Sequence, residues 1–202
     1  FTKIKLKVSD CTEKWIWGTA YRNKIVVLPY NEKDIIILDT DDDSVEYTPV
    51  KKGKGKYIQG HIHGDSLFAL PYGENDPYDY VLRLELPYMF ADQYKLYLPN
   101  NDCKKWHTTQ MIDGIIYGLP RGESLDSYFN HRIEYDCSDE ECKLIDMGSA
   151  WEDYENDGFN NKKYTTMAKV GNRLYAPPYS ENANFDVLTK FVDGEWISER
   201  TG

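Results

Sequence analysis

A glutamate falls three residues after a proline four times: Pro29-Tyr30-Asn31-Glu32, Pro71-Tyr72-Gly73-Glu74, Pro120-Arg121-Gly122-Glu123 and Pro178-Tyr179-Ser180-Glu181. Tyrosine offers flat contact area with a hydroxyl, and glutamate accepts hydrogen bonds. Tyr30, Glu32, Tyr72, Glu74, Arg121, Glu123, Tyr179 and Glu181 are therefore the candidate ligand-binding residues, with Arg121 breaking the tyrosine pattern. The same pattern also suits turn chemistry with solvated carboxylates, because repeats copy structural residues too.

His61 and His63 form a His-x-His, which strand alternation would put on one face, as metal ligation requires. A third ligand is not evident, and His107, one residue after Trp106, has the opposite parity to His61 and His63. No Gly-x-Ser-x-Gly elbow, P-loop or His-Glu-x-x-His occurs. Carboxylates are too numerous for one pair to stand out as acid and base. The expectation is no catalytic residue, no metal and no cofactor.

The elements that must position these residues come from a repeat. Lys14-Trp15 precedes Leu28-Pro29, Lys56-Tyr57 precedes Leu70-Pro71, Lys105-Trp106 precedes Leu119-Pro120, and Lys163-Tyr164 precedes Pro177-Pro178. The aromatic-to-proline spacing is 14 in all four. A turn pair falls midway: Arg22-Asn23, Gly64-Asp65, Asp113-Gly114 and Gly171-Asn172. Each unit thus reads as a hairpin closed by proline, which cannot donate to a ladder. Third strands are expected at Asp34 to Leu38, Asp79 to Leu84, Tyr128 to Tyr135 and Phe185 to Phe191. Fourth strands are expected at Val45 to Thr48, Gln93 to Leu98, Lys143 to Met147 and Glu195 to Ser198. Four strands per unit, repeating every 42 to 58 residues or so, describe the blade of an all-β propeller with four-stranded antiparallel blades.

The openers, the mid-hairpin turn and the endings Ile116-Tyr117-Gly118-Leu119-Pro120 and Leu174-Tyr175-Ala176-Pro177-Pro178 resemble kelch-like and related β-propeller repeats. Blade one, with Asn23-Lys24-Ile25, Pro29-Tyr30-Asn31 and Ile36-Ile37-Leu38-Asp39, is similar to a Pro-Tyr type of repeat. The kelch double glycine is absent. The resemblance implies a binding scaffold more often than an enzyme. One domain over 1–202 is expected, with blades at 14–49, 56–99, 105–147 and 163–199. Residues 1–10, where Ile4, Leu6 and Val8 alternate with lysines, read as a surplus strand. That strand either ends a preceding blade of a larger propeller or closes a four-bladed ring. Residues 148–162 read as an acidic insertion.

Cys137 and Cys142 flank Ser138-Asp139-Glu140-Glu141 between the third and fourth strands of blade three, a spacing from which a disulfide is expected. Cys11 and Cys103 both precede an aromatic opener and could bridge if blades one and three approach closely. An even cysteine count points to a secreted or cell-surface setting, with the cytoplasm as the alternative. The net charge of −10 fits nucleic-acid binding poorly, despite Lys51, Lys52, Lys54 and Lys56. No apolar run is long enough for a membrane helix. These features favour a non-enzymatic module that binds a protein or glycan on the loop face. A propeller hydrolase or lyase using channel-facing Glu and His residues is the alternative.

Overall fold

The computed structural model describes residues 3–73, 78–98, 105–120, 131–147, 164–178 and 187–200. Among them there is no helix. Sixteen strands form four antiparallel sheets, each a meander of four consecutive strands. The first holds β1 (Trp15–Tyr21), β2 (Lys24–Pro29), β3 (Asp34–Asp39) and β4 (Val45–Pro49). The second holds β5 (His61–His63), β6 (Ser66–Ala69), β7 (Tyr80–Glu85) and β8 (Phe90–Lys95). The third holds β9 (Trp106–Ile112), β10 (Ile115–Pro120), β11 (His131–Asp136) and β12 (Glu141–Asp146). The fourth holds β13 (Ala168–Val170), β14 (Arg173–Ala176), β15 (Val187–Val192) and β16 (Glu195–Arg200).

The four turn pairs join the first two strands of each sheet as the spacing predicts. Their first residues, Arg22, Gly64, Asp113 and Gly171, all have left-handed backbones, with φ of 54, 58, 48 and 59°. Tight hairpins need positive φ there, because only that twist matches the flanking strands. Glycine at two of these sites adopts it without the Cβ clash. The strands themselves follow from runs such as Ile35-Ile36-Ile37, whose β-branched side chains suit a pleated surface.

The openers explain the constant spacing. Trp106, 2% exposed, reaches across β10 to donate its indole N–H to the His131 carbonyl at 2.9 Å. Trp15 does the same to Asp34 at 3.1 Å. Tyr164 bonds the Thr189 hydroxyl at 2.5 Å, and Tyr57 meets Tyr78 at 3.2 Å. Each opener thus ties the first strand, or the residues leading into it, to the third strand or the residues leading into that one. Tyr57, Trp106 and Tyr164 are buried, but Trp15 is only half-buried.

Two compact units divide the chain, 1–101 and 102–202, and each holds two sheets. The core of the first includes Val26, Leu28, Ile35, Ile37, Tyr57, Leu67 and Leu84. That of the second includes Leu119, Tyr164, Met167, Leu174 and Phe191.

Three expectations are corrected. Residues 3–9 form no strand: Ile4, Leu6 and Val8 are exposed, and the segment has no ladder partner. Its contacts are isolated, such as the Lys7 N–H to the Tyr47 hydroxyl at 2.7 Å. Alternation alone cannot make a strand without a neighbouring edge. The fourth strand of the second sheet starts at Phe90 rather than Gln93, because Glu85 pairs with Phe90 around a four-residue turn. Finally, Cys137 and Cys142 are free thiols. The register sets Cys142 opposite Tyr135, whereas Cys137 lies beyond the last pair, Asp136 with Glu141. Cys137 is buried and Cys142 exposed, so the two are not facing neighbours. The acidic insertion 148–162 and Cys103 lie outside the described residues.

Candidate functional site

The loops joining second to third strands carry the candidate motif. In the first unit the structure describes Tyr30, Glu32 and Tyr72. The Tyr30 N–H donates to the Lys14 carbonyl at 2.8 Å, so the loop after β2 folds back onto the segment entering β1. The Lys56 N–H donates to the Tyr30 carbonyl at 2.9 Å, and the Tyr72 N–H to the Lys56 carbonyl at 2.8 Å. One chain of main-chain bonds therefore links the first sheet to the second. Asn31 reinforces it, accepting from the Gly55 N–H at 2.9 Å and donating to the Thr12 carbonyl at 2.9 Å. The Tyr30 and Tyr72 rings stack at 6.3 Å with 29° between planes.

These residues are interior. Tyr30, Tyr72 and Glu32 are 6%, 2% and 3% exposed. The Glu32 carboxylate accepts from both the N–H and the hydroxyl of Ser9 at 2.8 Å and from the Cys11 thiol at 3.5 Å. The Lys14 ammonium stands 3.9 Å away and donates to the Ser9 and Cys11 carbonyls. Burial pushes the Glu32 pKa up, but the bonds from Ser9, Cys11 and the Lys33 backbone outweigh it and leave the pKa lowered.

Lys56 completes the cluster. Its ammonium donates to the Glu32 carbonyl at 2.6 Å and is almost fully buried. Burial pushes its pKa down to about 8, against the upward pull of Cys11 and Glu32. The sequence reading missed this role. The signal was available, because a lysine precedes the aromatic opener in all four repeats, and Lys105 is fully buried too. Chemically, the cluster pins two loops. A buried ammonium bonded to a main-chain carbonyl holds geometry rather than meeting a ligand.

Glu74, Arg121, Glu123, Tyr179 and Glu181 lie outside the described residues, so Tyr30, Glu32 and Tyr72 are the candidates the structure places. His61 and His63 are half-buried on β5, paired with Phe68 and Ser66. His107 contacts the Thr165 carbonyl through Nδ1 at 3.1 Å. Among the described residues no group of three or more His, Cys, Asp or Glu side chains could hold a metal ion. Among them, too, no helix is long and apolar enough to cross a membrane.

Four-stranded meanders strung along one chain have counterparts among solved structures. A streptogramin B lyase structure matches 93% of this chain and 54% of its own, with TM-score 0.61 and 13% identity. The extracellular domain of the putative one component system BT4673 from B. thetaiotaomicron matches 97% of this chain and 23% of its own, with TM-score 0.60 and 8% identity. The RRP9 WD40 repeats match 87% of this chain and 47% of their own, with TM-score 0.54 and 7% identity. The fold is that of a β-propeller. Each four-stranded sheet is a blade, and four blades occupy the chain. The chain spans about half, or less, of the length of these propeller structures. At such low identity the likeness is one of fold. No protein-family model matches the chain, and no curated protein matches it.

Proposed function

We propose that the chain is a non-enzymatic recognition module that takes a protein or glycan ligand on the loop ends of its blades. The observation that carries this reading is the locked loop framework of blades one and two. A rigid base of Tyr30, Glu32, Lys56 and Tyr72 holds the blade-to-blade loop after β4. Lys51, Lys52 and Lys54 stand exposed on that loop, and the Lys51 ammonium lies 4.2 Å from the Tyr80 ring centre. Preorganised loops bind with less ordering cost, and exposed charge steers a partner and sets its orientation.

In this reading Tyr30, Glu32 and Tyr72 position the surface rather than touch the ligand. Glu74, Arg121, Glu123, Tyr179 and Glu181 are the remaining sequence-based contacts. The proposal extends to a secreted or cell-surface setting, which cell fractionation decides against the cytoplasm. The test is a glycan array with a parallel protein pull-down. It compares Lys51→Ala/Lys52→Ala/Lys54→Ala/Arg121→Ala with Arg22→Ala/Asp65→Ala/Asn172→Ala at the opposite blade ends. Loss of binding in the first set alone supports the loop ends. Loss in the second set alone shows that the wrong end was chosen.

A further inference from the structure

The second unit carries a cleft between its two blades. It opens at the tight-turn ends of blades three and four, opposite the loop ends, with a volume of about 670 Å³. That size suits a small molecule. Ile112, Tyr117 and Phe191 line its apolar part, and Asp113, Asp193 and Arg173 its polar part.

The repeat supplies an internal control. Counting from the openers, Tyr21 of blade one corresponds to Ile112 of blade three, and Asp65 of blade two to Asn172 of blade four. In the first unit the Tyr21 hydroxyl donates to the Asp65 carboxylate at 2.9 Å, a clasp across the two blades. Leu86, fully buried, sits beyond β7, and its N–H donates to the Asp65 carbonyl at 2.9 Å. In the second unit isoleucine and asparagine stand at the clasp positions. Strand pairing of Leu84 with Leu67 and of Phe191 with Leu174 equates Leu86 with Asp193. The plug is thus replaced by a carboxylate on a shorter, two-residue turn. The second unit thus has neither the clasp nor the plug beside its cleft.

Its chemistry is selective. Tyr117 is 6% exposed, with its ring 4.7 Å from Phe191 and 5.9 Å from Trp196. Its hydroxyl has no hydrogen-bond partner among the described residues. Burial raises its pKa first, and the charges of Glu134 and Asp113 raise it further, so negative potential reaches the phenol. Asp113 and Asp193 occupy turn positions with φ of 48 and 53°, where aspartate and asparagine are both tolerated. The two carboxylates outnumber the single guanidinium of Arg173. Aromatic walls with net negative charge favour an ammonium on an apolar body.

We propose that this cleft is a binding site for a small organic cation, a protonated amine carried on an aromatic or aliphatic body, distinct from the loop-end site. The amine sits between Asp113 and Asp193, and the apolar body lies against Tyr117 and Phe191. The probe is phenethylammonium, with 2-phenylethanol and 3-phenylpropionate as neutral and anionic comparators, followed by calorimetry and by NMR on the full chain. The amine is expected to bind saturably and at least about tenfold more tightly than either comparator. Asp113→Asn with Asp193→Asn should remove that preference while leaving the alcohol unchanged. Ile112→Tyr with Asn172→Asp rebuilds the clasp and should weaken all binding at least about tenfold. If the clasp variant fails to fold, the asparagine pair decides alone. Absence of saturable amine binding, equal affinity for amine and carboxylate, or an undiminished preference in the asparagine pair overturns the proposal.

Discussion

Replacing Lys56 with methionine isolates the cost of the buried ammonium. Its pKa lies near 8, against an ordinary lysine value of about 10.5. That gap corresponds to about 3 kcal/mol favouring the neutral form in the fold. Methionine keeps an unbranched chain as far as Cε and removes the ammonium, but leaves the Glu32 carbonyl without this donor, at a cost of about 1–3 kcal/mol. The two effects nearly cancel at neutral pH, so stability at a single pH decides nothing. The pH profile does. Below pH 8 lysine is protonated in both folded and unfolded chains, and the profile is flat. Between about 8 and 10.5 the unfolded chain holds more protons, so stability rises with pH. From pH 7 to 9 the rise is about 1.3 kcal/mol in the wild type and absent in Lys56→Met. Thiols and phenols with raised pKa values, such as Cys137 and Tyr57, pull the other way above about pH 9. They are common to both proteins and drop out of the difference. Urea unfolding at several pH values, wild type minus variant, measures it. A difference that stays flat, or that falls as pH rises, refutes a desolvated Lys56.

Trp106→Ala should cost about 3–5 kcal/mol, since it empties a buried site and strips the His131 carbonyl of its donor. Trp15→Ala, at a half-buried opener, should cost roughly half as much by the same urea assay, and equal losses would show that burial does not set the cost. In the native protein Cys142 should alkylate while Cys137, buried and pushed up to about 12, should not. Mass spectrometry of a non-reduced digest after alkylation checks this, and a linked Cys137–Cys142 peptide would contradict the free-thiol geometry.

The strand plan was legible because it rests on local chemistry copied four times. Positive φ at Arg22, Gly64, Asp113 and Gly171 is what a tight hairpin demands, and the proline 14 residues after each opener marks where pairing stops. The composition of the candidate site was legible, but the burial of its described members was not. The repeated Tyr and Glu have the chemistry of ligand contacts, yet Tyr30, Glu32 and Tyr72 are interior. Nothing local to Glu32 announces that Ser9, 23 positions earlier, folds over its carboxylate. Residues 3–9 show the same limit: their alternation matches a strand, and only an available edge could make one.

The sequence by itself determined the four-stranded units, their turns and their openers, because hairpins and opener contacts are decided within some 25 residues and by residue type. The tertiary structure alone decided what is buried between blades. Lys56 becomes a desolvated clamp because the loop of the preceding blade closes over it. In the second unit Ile112, Asn172 and Asp193 stand where Tyr21, Asp65 and Leu86 make the contacts of the first, and a cleft opens beside them. Both outcomes depend on how two neighbouring blades pack against each other. A repeat states that its copies are alike, but the interface between two copies depends on the positions at which they differ.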